Sequence, residues 1–321
     1  MESNRRYFNH RVTVLAGGVG GAKMARALRS VLAPGTLSIV VNVGDDTRRY
    51  GVHIAADPDT VLYTLSGTVG PHGWGRADDT TNVMSGLSEL GVDTTFTLGD
   101  KDFGLCAHRT TRLDAGEPLS SITADLARRF GLTDIDLLPA TDDPLATVVR
   151  VETGETLDFQ TYFVDRRHTD EVVDIDYLGA PDAKPAPGVV DAIVGADVVV
   201  IAPSNPPLSI HPILAVEGIR DAVAGHPRVA AVSPLFGGIP LKGPADVVMR
   251  GLGYAPGTLG VLEAYEGLLD MLWVDVADTD DVALGDAFGV SVVPANTRLD
   301  GHNGGVFATS LLTQALGPDD G

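Results

Sequence analysis

Short apolar runs alternate with amphipathic stretches along nearly the whole chain. Apolar runs of this length predict buried strands, and the amphipathic stretches between them predict helices. This alternation is typical of βαβ units around a parallel sheet. We expect strands at 12–16, 37–43, 197–202, 229–232, 272–276 and 290–293. The sequence therefore predicts an α/β fold that is Rossmann-like and doubly wound, with a mainly parallel sheet.

The middle of the chain breaks this rhythm. Residues 146–151 and 156–162 alternate with period two around Thr153 and Gly154, which predicts a β-hairpin. A stretch rich in Pro, Ala and Gly follows at 181–188 and resembles a linker. We therefore expect three parts: a Rossmann-like core at 1–130 that carries the nucleotide loop and an acidic site, an insertion at 131–187, and the remainder of the core at 188–321.

Composition narrows the possible partners. The net charge of −20 predicts that the chain repels nucleic acid and anionic membranes. If the substrate carries phosphate, the surplus of carboxylates implies that a divalent cation and a few basic residues shield it.

The cysteine content and the apolar runs of the sequence bear on where the protein is located. Cys106 is the single cysteine of the chain, so an intramolecular disulfide and a multi-cysteine zinc site are excluded. Residues 1–10 lack the apolar run of a signal peptide, and no apolar run is long enough to span a membrane. We expect a cytoplasmic protein.

A glycine-rich turn follows the first predicted strand and opens the first helix. Gly17, Gly18, Gly20 and Gly21 let the backbone approach a phosphate, while the helix N-terminus supplies amide donors. Lys23 stands where the dinucleotide fingerprint needs its third glycine, and its neighbours break the P-loop pattern. We interpret the turn as a nucleotide loop. A glycine turn that serves only to pack helix on strand is the alternative.

Four acids follow the second predicted strand: Asp45, Asp46, Asp57 and Asp59. The carboxyl ends of parallel strands face the ligand crevice, so these side chains can converge there. Several carboxylates beside an anionic ligand need a cation between them, which predicts Mg²⁺. Two alternatives stay open: Asp45 could bind a ribose, and Asp57 or Asp59 could cap a helix that begins near residue 60.

Weaker candidates occur in three later segments. Lys101 stands between two acids after the apolar run 96–98, in a position that is typical of a ligand-facing residue or of a solvated turn. Ser204 and Asn205 follow the strand predicted at 197–202 and can bind phosphate or base, or simply build the turn. Gly237 and Gly238 provide a second place where amides can face an anion.

Together these segments resemble the 2-phospho-L-lactate transferase (CofD-like) family. The resemblance rests on GGVGGAK at 17–23, VNVGDD at 41–46 with DPDTVLY at 57–63, TLGDKD at 97–102, LDFQTYFV at 157–164, APSNP at 202–206, and SPLFGG at 233–238 with KGPAD at 242–246. The motifs appear in the family's order and cover nearly the whole chain.

The resemblance implies a specific reaction. A 2-phospholactyl or phosphoenolpyruvyl group would move from a lactyl or enolpyruvyl diphosphoguanosine donor to the ribityl hydroxyl of the deazaflavin Fo. GMP would be released, in the biosynthesis of coenzyme F-420. A homodimer is the default expectation for the assembly.

The resemblance also implies residue roles. Asp59 and Lys101 match the family's acceptor-binding acid and basic residue and are predicted to be catalytic. We also expect them to meet at one acceptor pocket, because each follows an apolar run, 37–43 or 96–98, that would end at the same rim of the sheet. The glycine loop with Lys23, Ser204 and Asn205 is predicted to bind the nucleotide. We infer Asp45 and Asp57 as the metal ligands, with Asp45 also catalytic.

Two other classes remain as alternatives: a non-enzymatic nucleotide-sugar-binding regulator, and an NAD-dependent oxidoreductase.

Overall fold

The computed structural model describes residues 8–317, and a seven-stranded parallel sheet runs through its centre. The strands are β1 (Val12–Ala16), β2 (Leu37–Val41), β3 (Thr47–Arg49), β4 (Val52–Ile54), β5 (Ile135–Pro139), β6 (Ala146–Val151), β7 (Thr156–Asp158), β8 (Val172–Leu178), β9 (Val198–Ile201), β10 (Val229–Val232), β11 (Leu235–Phe236), β12 (Ile239–Pro240), β13 (Met271–Asp275) and β14 (Ser291–Ala295).

Helices cover both faces of this sheet. The α-helices are α1 (Gly18–Arg29), α2 (Ala56–Ser66), α3 (Asn82–Glu89), α4 (Asp100–Asp114), α5 (Leu119–Arg129), α6 (Val189–Val194), α7 (His211–Leu214), α8 (Ile219–Ala224), α9 (Ala245–Gly251), α10 (Gly257–Ala264) and α11 (Asn303–Leu316). Two π-helical turns, Thr161–Asp165 and Pro206–Ile210, and a 3-10 segment, Val276–Phe288, complete the elements. No helix within 8–317 has the length and apolar character needed to cross a membrane.

The strand order of the central sheet is β14-β13-β10-β9-β1-β2-β5, and every neighbouring pair is parallel. The chain first moves outward from β1 through β2 to β5, then returns to β9 on the other side of β1 and moves outward again. The order therefore reverses between β1 and β9, where an open α/β sheet has its ligand crevice. This confirms the predicted doubly wound α/β fold.

Burial on both faces explains why the central strands are mostly apolar. In β1, Val12 and Val14 pack into one core with Met24 of α1, whereas Leu15 packs into the opposite core with Ile193 of α6. Successive side chains of a strand point to opposite faces, so a strand covered on both sides favours apolar residues on both faces. The apolar runs in the sequence thus reflect strands that are covered by helices on both faces.

One strand of the central sheet was missed. Strand β5 pairs in parallel with β2, from Leu37 opposite Ile135 to Val41 opposite Pro139. It lies inside the segment 131–187 that was predicted to be an insertion, so that boundary precedes a core strand. An edge strand is covered on fewer sides, and the exposed Asp136 interrupts its apolar pattern.

The inserted part is a small antiparallel sheet of order β7-β6-β8. The predicted hairpin forms, since β6 and β7 pair antiparallel with Arg150 opposite Thr156, but its second strand ends at Asp158 and not at residue 162. The stretch at 181–188 is packed against the core and is not a loose linker. Ala183 and Ala186 are buried, and the Thr141 hydroxyl donates to the Lys184 carbonyl oxygen at 2.6 Å.

Candidate active site

The turns after β1 and β9 interlock at the point where the strand order reverses. The Ser204 hydroxyl donates to the Gly17 carbonyl oxygen at 2.7 Å, and the Gly17 amide donates back to Ser204 Oγ at 3.3 Å. A Cβ atom on Gly20 would lie 2.2 Å from the Pro203 carbonyl oxygen, and one on Gly21 would lie 2.9 Å from Ala16 Cβ. Close packing therefore accounts for Gly17, Gly20 and Gly21, as the packing alternative proposed.

Gly18 has a different role in this turn. It adopts a φ of +60°, where a side chain is strained, and its amide donates to Asp57 Oδ1 at 2.7 Å. Helix α1 begins at this residue, so the amides of Val19 and Gly20 fall in the first turn, which has no preceding helical acceptors. These two amides are donors available to an anion, and Lys23, which is predicted to bind the nucleotide, is half-buried one turn further along α1.

Ser204 and Asn205 both build the turn in which they lie. The Ser204 hydroxyl is occupied by Gly17, and Asn205 Oδ1 accepts the Leu208 amide at 3.2 Å, capping the π-helical turn that follows. The turn-building alternative explains these contacts, and a nucleotide contact from either side chain stays a prediction.

Two buried carboxylates meet at the carboxyl end of β2. Asp57 Oδ2 accepts from Asn42 Nδ2 at 3.0 Å, and Asn42 Oδ1 in turn accepts the Gly44 amide at 2.8 Å. Asp45 is 4% exposed, and its Oδ1 is buried without a hydrogen-bond partner among the residues described. We call Asp45 and Asp57 the open acid pair.

The charged groups that most influence the open acid pair are other carboxylates. Burial raises the pKa of Asp57 to about 6 and that of Asp45 well above its usual range, and nearby carboxylates raise both further. Within residues 8–317 no Lys, Arg or His is among the main influences on either group. A buried, hard oxygen site of this kind, with an unsatisfied carboxylate oxygen, fits a divalent cation such as Mg²⁺.

The helix-capping alternative for Asp57 and Asp59 is wrong. Helix α2 begins at Ala56, before residue 60, and its N-cap Ala55 has no side-chain cap. Asp57 and Asp59 lie in the first turn and direct their carboxylates to groups outside the helix.

Asp59 carries its own counter-ion. It forms a buried ion pair with Arg109 of α4, which is 1% exposed and also donates to the His53 carbonyl oxygen at 3.3 Å. Burial raises the pKa of Asp59, and the Arg109 guanidinium opposes that shift. Asp46 also has a nitrogen-bearing side chain beside it, since its Oδ2 lies 3.0 Å from His53 Nε2. We call Asp59 and Arg109 the closed pair.

Lys101 does not contact Asp59. It is exposed in the first turn of α4, where its Nζ donates to the Asp78 carbonyl oxygen at 2.6 Å. The expected meeting rested on 96–98 being an apolar run that ends at the sheet rim, but these residues form a loop. The inward residue of this turn is Asp102, whose Oδ1 accepts from the Tyr63 hydroxyl at 2.7 Å.

Arg109 was missed, although the sequence contains a signal for it. Asp102, Cys106 and Arg109 recur at helical spacing, so they share one face of α4, and all three are buried. Recognising 100–114 as a helix would have placed a charged stripe against the core beside the acids of α2.

A group of possible metal ligands lies where this stripe meets α2. Asp59, Asp102 and Cys106 have ligand atoms within 4.8 Å of one another. Arg109 and the Tyr63 hydroxyl each bind one oxygen of the two carboxylates, and burial raises the pKa of Cys106, which keeps it a thiol. The guanidinium would repel a cation here, so the group fits a metal less well than the open acid pair does.

The inserted sheet supplies one wall of the site. Gln160 is buried and donates from Nε2 to the Asp45 carbonyl oxygen at 2.8 Å, and the Thr147 amide donates to the Gly44 carbonyl oxygen at 2.8 Å. The insertion therefore holds the loop that presents Asp45, a role that the sequence pattern did not predict.

Two loops border the crevice from above. Gly73 lies against Val19, and Lys242 Nζ lies 5.9 Å from the centre of the Trp74 ring. The Gly237 amide donates to Asp278 Oδ2 at 2.9 Å, so that predicted anion-facing amide already has an acceptor.

The sequence matches one protein family over most of its length. Residues 12–289 match the family described as 2-phospho-L-lactate transferase CofD. The phosphoenolpyruvate transferase of Streptomyces griseus is 43% identical over 288 residues, covering 87% of this chain and 90% of that protein. The 2-phospho-L-lactate transferase of Methanopyrus kandleri is 40% identical over 296 residues, covering 91% and 93%.

Solved structures give the same fold. A UPF0052-family protein of Bacillus halodurans superposes with a TM-score of 0.62 at 17% identity, covering 95% of this chain and 99% of that one. A second structure from that organism gives 0.64 at 18% identity, covering 95% and 100%. At this identity the likeness concerns the fold alone.

Proposed function

The chain belongs to the 2-phospho-L-lactate transferase CofD family, and we propose that it acts as a transferase in coenzyme F-420 biosynthesis. It moves a 2-phospholactyl or phosphoenolpyruvyl group from a diphosphoguanosine donor to the ribityl hydroxyl of Fo and releases GMP. The regulator and oxidoreductase alternatives are not favoured, because the relatives that match over most of the chain are named as transferases.

One observation carries this proposal: a cation-poor acid pair lies beside a helix N-terminus at the reversal point of the sheet. The amides of Val19 and Gly20 supply donors to the diphosphate, and Lys23 adds a charge one turn further along α1. The guanosine part of the donor rests on family membership.

Asp45 and Asp57 would hold the Mg²⁺ ion. Asp45 offers an unsatisfied oxygen, while Asn42 and Gly18 hold Asp57 in place by hydrogen bonds to its two oxygens. A divalent cation bound there supplies charge neutralisation on the diphosphate, which is the main requirement of phosphoryl-type transfer. Gln160 keeps the Asp45 loop in position from the inserted sheet.

Asp59 would receive the acceptor. Arg109 binds one of its oxygens, which leaves Oδ2 to accept the attacking hydroxyl and to take its proton. Arg109 thus acts as a positioning residue. The acceptor role predicted for Lys101 requires the acceptor to extend past Asp102 to the outer side of α4.

Mass spectrometry of reaction products tests the proposal. The protein is incubated with Fo, MgCl₂ and either the lactyl or the enolpyruvyl diphosphoguanosine donor, and the expected result is GMP with Fo extended by one of the two groups. The donor that is consumed faster identifies the group transferred. Donor binding without any product would instead identify a binding protein and contradict the proposal.

Variants separate the two proposed acceptor residues. Asp59→Asn and Lys101→Gln should each lower kcat or raise the acceptor KM, with GDP affinity within about twofold. Lys184→Gln is the matched control, because Lys184 is also exposed and forms a surface ion pair with Glu217. If Lys101→Gln behaves like this control, Lys101 has no part in acceptor binding.

A further inference from the structure

An open groove lies between α4 and α5, outside the crevice. It has two connected parts of about 540 and 280 Å³ that share His108 and Arg129 as lining residues. The smaller part is floored by Leu105, Leu126 and Phe130. It is therefore an apolar depression with a charged rim.

The rim is basic although the chain as a whole has a net charge of −20. Five cationic side chains line the groove against two carboxylates, Glu117 and Asp125. Arg112 binds both carboxylates, and Asp125 is also bound by Arg128 and Arg129. The internal acids are thus already engaged, which leaves a local surplus of positive charge.

Arg76 is the least satisfied member of this rim. Its guanidinium lies 5.1 Å from the centre of the Phe130 ring and 5.7 Å from that of Tyr63. Across residues 8–317 it makes no hydrogen bond or ion pair, and its Nε is buried without a partner. Stacking on aromatic rings fixes the plane of a guanidinium and leaves its edge to bind an anion in bidentate fashion.

We infer that this groove is a second anion-binding site, for a small ligand with two or more carboxylate or phosphate groups. Arg76 binds one anionic group, Arg129 binds another, and the apolar floor covers the carbon part of the ligand. The loop 70–76 separates this site from the crevice, because Gly73 faces Val19 while Arg76 faces the groove. The inference does not rest on the proposed transfer reaction.

Calorimetric titration of the intact protein tests the inference, with citrate as the carboxylate probe and pyrophosphate as the phosphate probe. Mg²⁺ is left out because both probes chelate it. We expect binding by the wild-type protein and at least tenfold weaker binding by Arg76→Gln. The probe that binds more tightly assigns the anionic group. Arg220→Gln on α8, an exposed arginine outside the groove, is the matched control and should bind as the wild type does.

Two further variants keep the result decisive. Arg129→Gln changes an exposed residue of the rim, so it tests the groove even if Arg76→Gln fails to fold. Lys23→Gln reports on the crevice and should leave citrate binding unchanged, whereas any pyrophosphate binding that it removes belongs to the crevice. No binding of either probe at millimolar concentration, or binding of both probes that Lys23→Gln removes while Arg76→Gln and Arg129→Gln do not, would overturn the inference.

Discussion

Asp57 and Asp59 lie two residues apart in the same helical turn, yet they belong to opposite kinds of site. Two residues on an α-helix are separated by about 200° around the axis, so their side chains leave α2 on different sides. Asp57 reaches Gly18, Asn42 and the neighbourhood of Asp45, where no cation is present among the residues described. Asp59 reaches Arg109. One turn of α2 thus contributes Asp57 to the open acid pair and Asp59 to the closed pair.

The contrast shows two ways in which the fold compensates for a buried carboxylate. A carboxylate removed from water needs a counter-charge, or else it takes up a proton. The closed pair has a guanidinium built into the fold, whereas the open pair is left to protonation or to an added cation. The first arrangement fixes structure, and the second reserves a place for a ligand.

Breaking the closed pair should have the largest effect. Arg109→Met leaves Asp59 buried without a partner, so we expect the free energy of unfolding to fall by about 3–5 kcal/mol in urea denaturation. Replacing both partners, as Asp59→Leu with Arg109→Met, should recover most of that loss, since no charge is left behind. A single-variant loss below about 1 kcal/mol would show that the pair is not stabilising.

The pH dependence of stability in the metal-free protein should reveal the titration of Asp57 in the open pair. The folded pKa of Asp57 is about 6 against 3.8 for an ordinary aspartate, so the folded state binds the extra proton. Its stabilising contribution is fully present below pH 4 and is lost as the pH rises through 6, by up to about 3 kcal/mol.

Asp57→Asn removes this titration. Measured in EDTA, its free energy of unfolding relative to the wild type should therefore rise between pH 4 and pH 6. A difference that stays constant over that range would contradict the raised pKa.

Adding Mg²⁺ should sharpen the comparison by acting on one region alone. At about a hundredfold the dissociation constant, a bound ion stabilises the folded state by about 2.7 kcal/mol, which appears as a higher Tm. We expect this rise in the wild type and in Asp59→Asn, and its loss in Asp45→Asn and Asp57→Asn. Turnover should depend on the cation in the same way. An equal rise of Tm in all four proteins would rule out the open pair as the metal site.

The smallest expected effect concerns the wall of the open pair. Gln160→Met removes the hydrogen bond to the Asp45 carbonyl oxygen, which should cost about 0.5–1.5 kcal/mol of stability and weaken Mg²⁺ binding a few-fold. Gln314→Met, on the exposed side of α11, is the matched control and should change neither. Weaker folding with unchanged Mg²⁺ affinity would limit Gln160 to a structural role.

The sequence predicted which segments form the site, but it did not predict which residues of those segments contact one another. The glycine turn, the acids after β2 and the Ser204-Asn205 turn could be placed at one rim because parallel strands of a doubly wound sheet end there. Their hydrogen bonds could not be predicted. Gly20 is explained by a contact with Pro203, which lies more than 180 residues away in the chain.

The sequence by itself determined the fold class, the position of the crevice and the family. Each of these follows from local signals: continuous apolar runs for strands covered on both faces, glycines where a helix meets a strand, and motifs in a fixed order. Only the tertiary structure decided which charges meet. Arg109 rather than Lys101 neutralises Asp59, and the inserted sheet rather than the core holds Asp45. These pairings depend on how α4 packs beside α2 and on how the insertion packs against the loop after β2. The residues that form such contacts lie far apart in the sequence, so no periodic pattern predicts them.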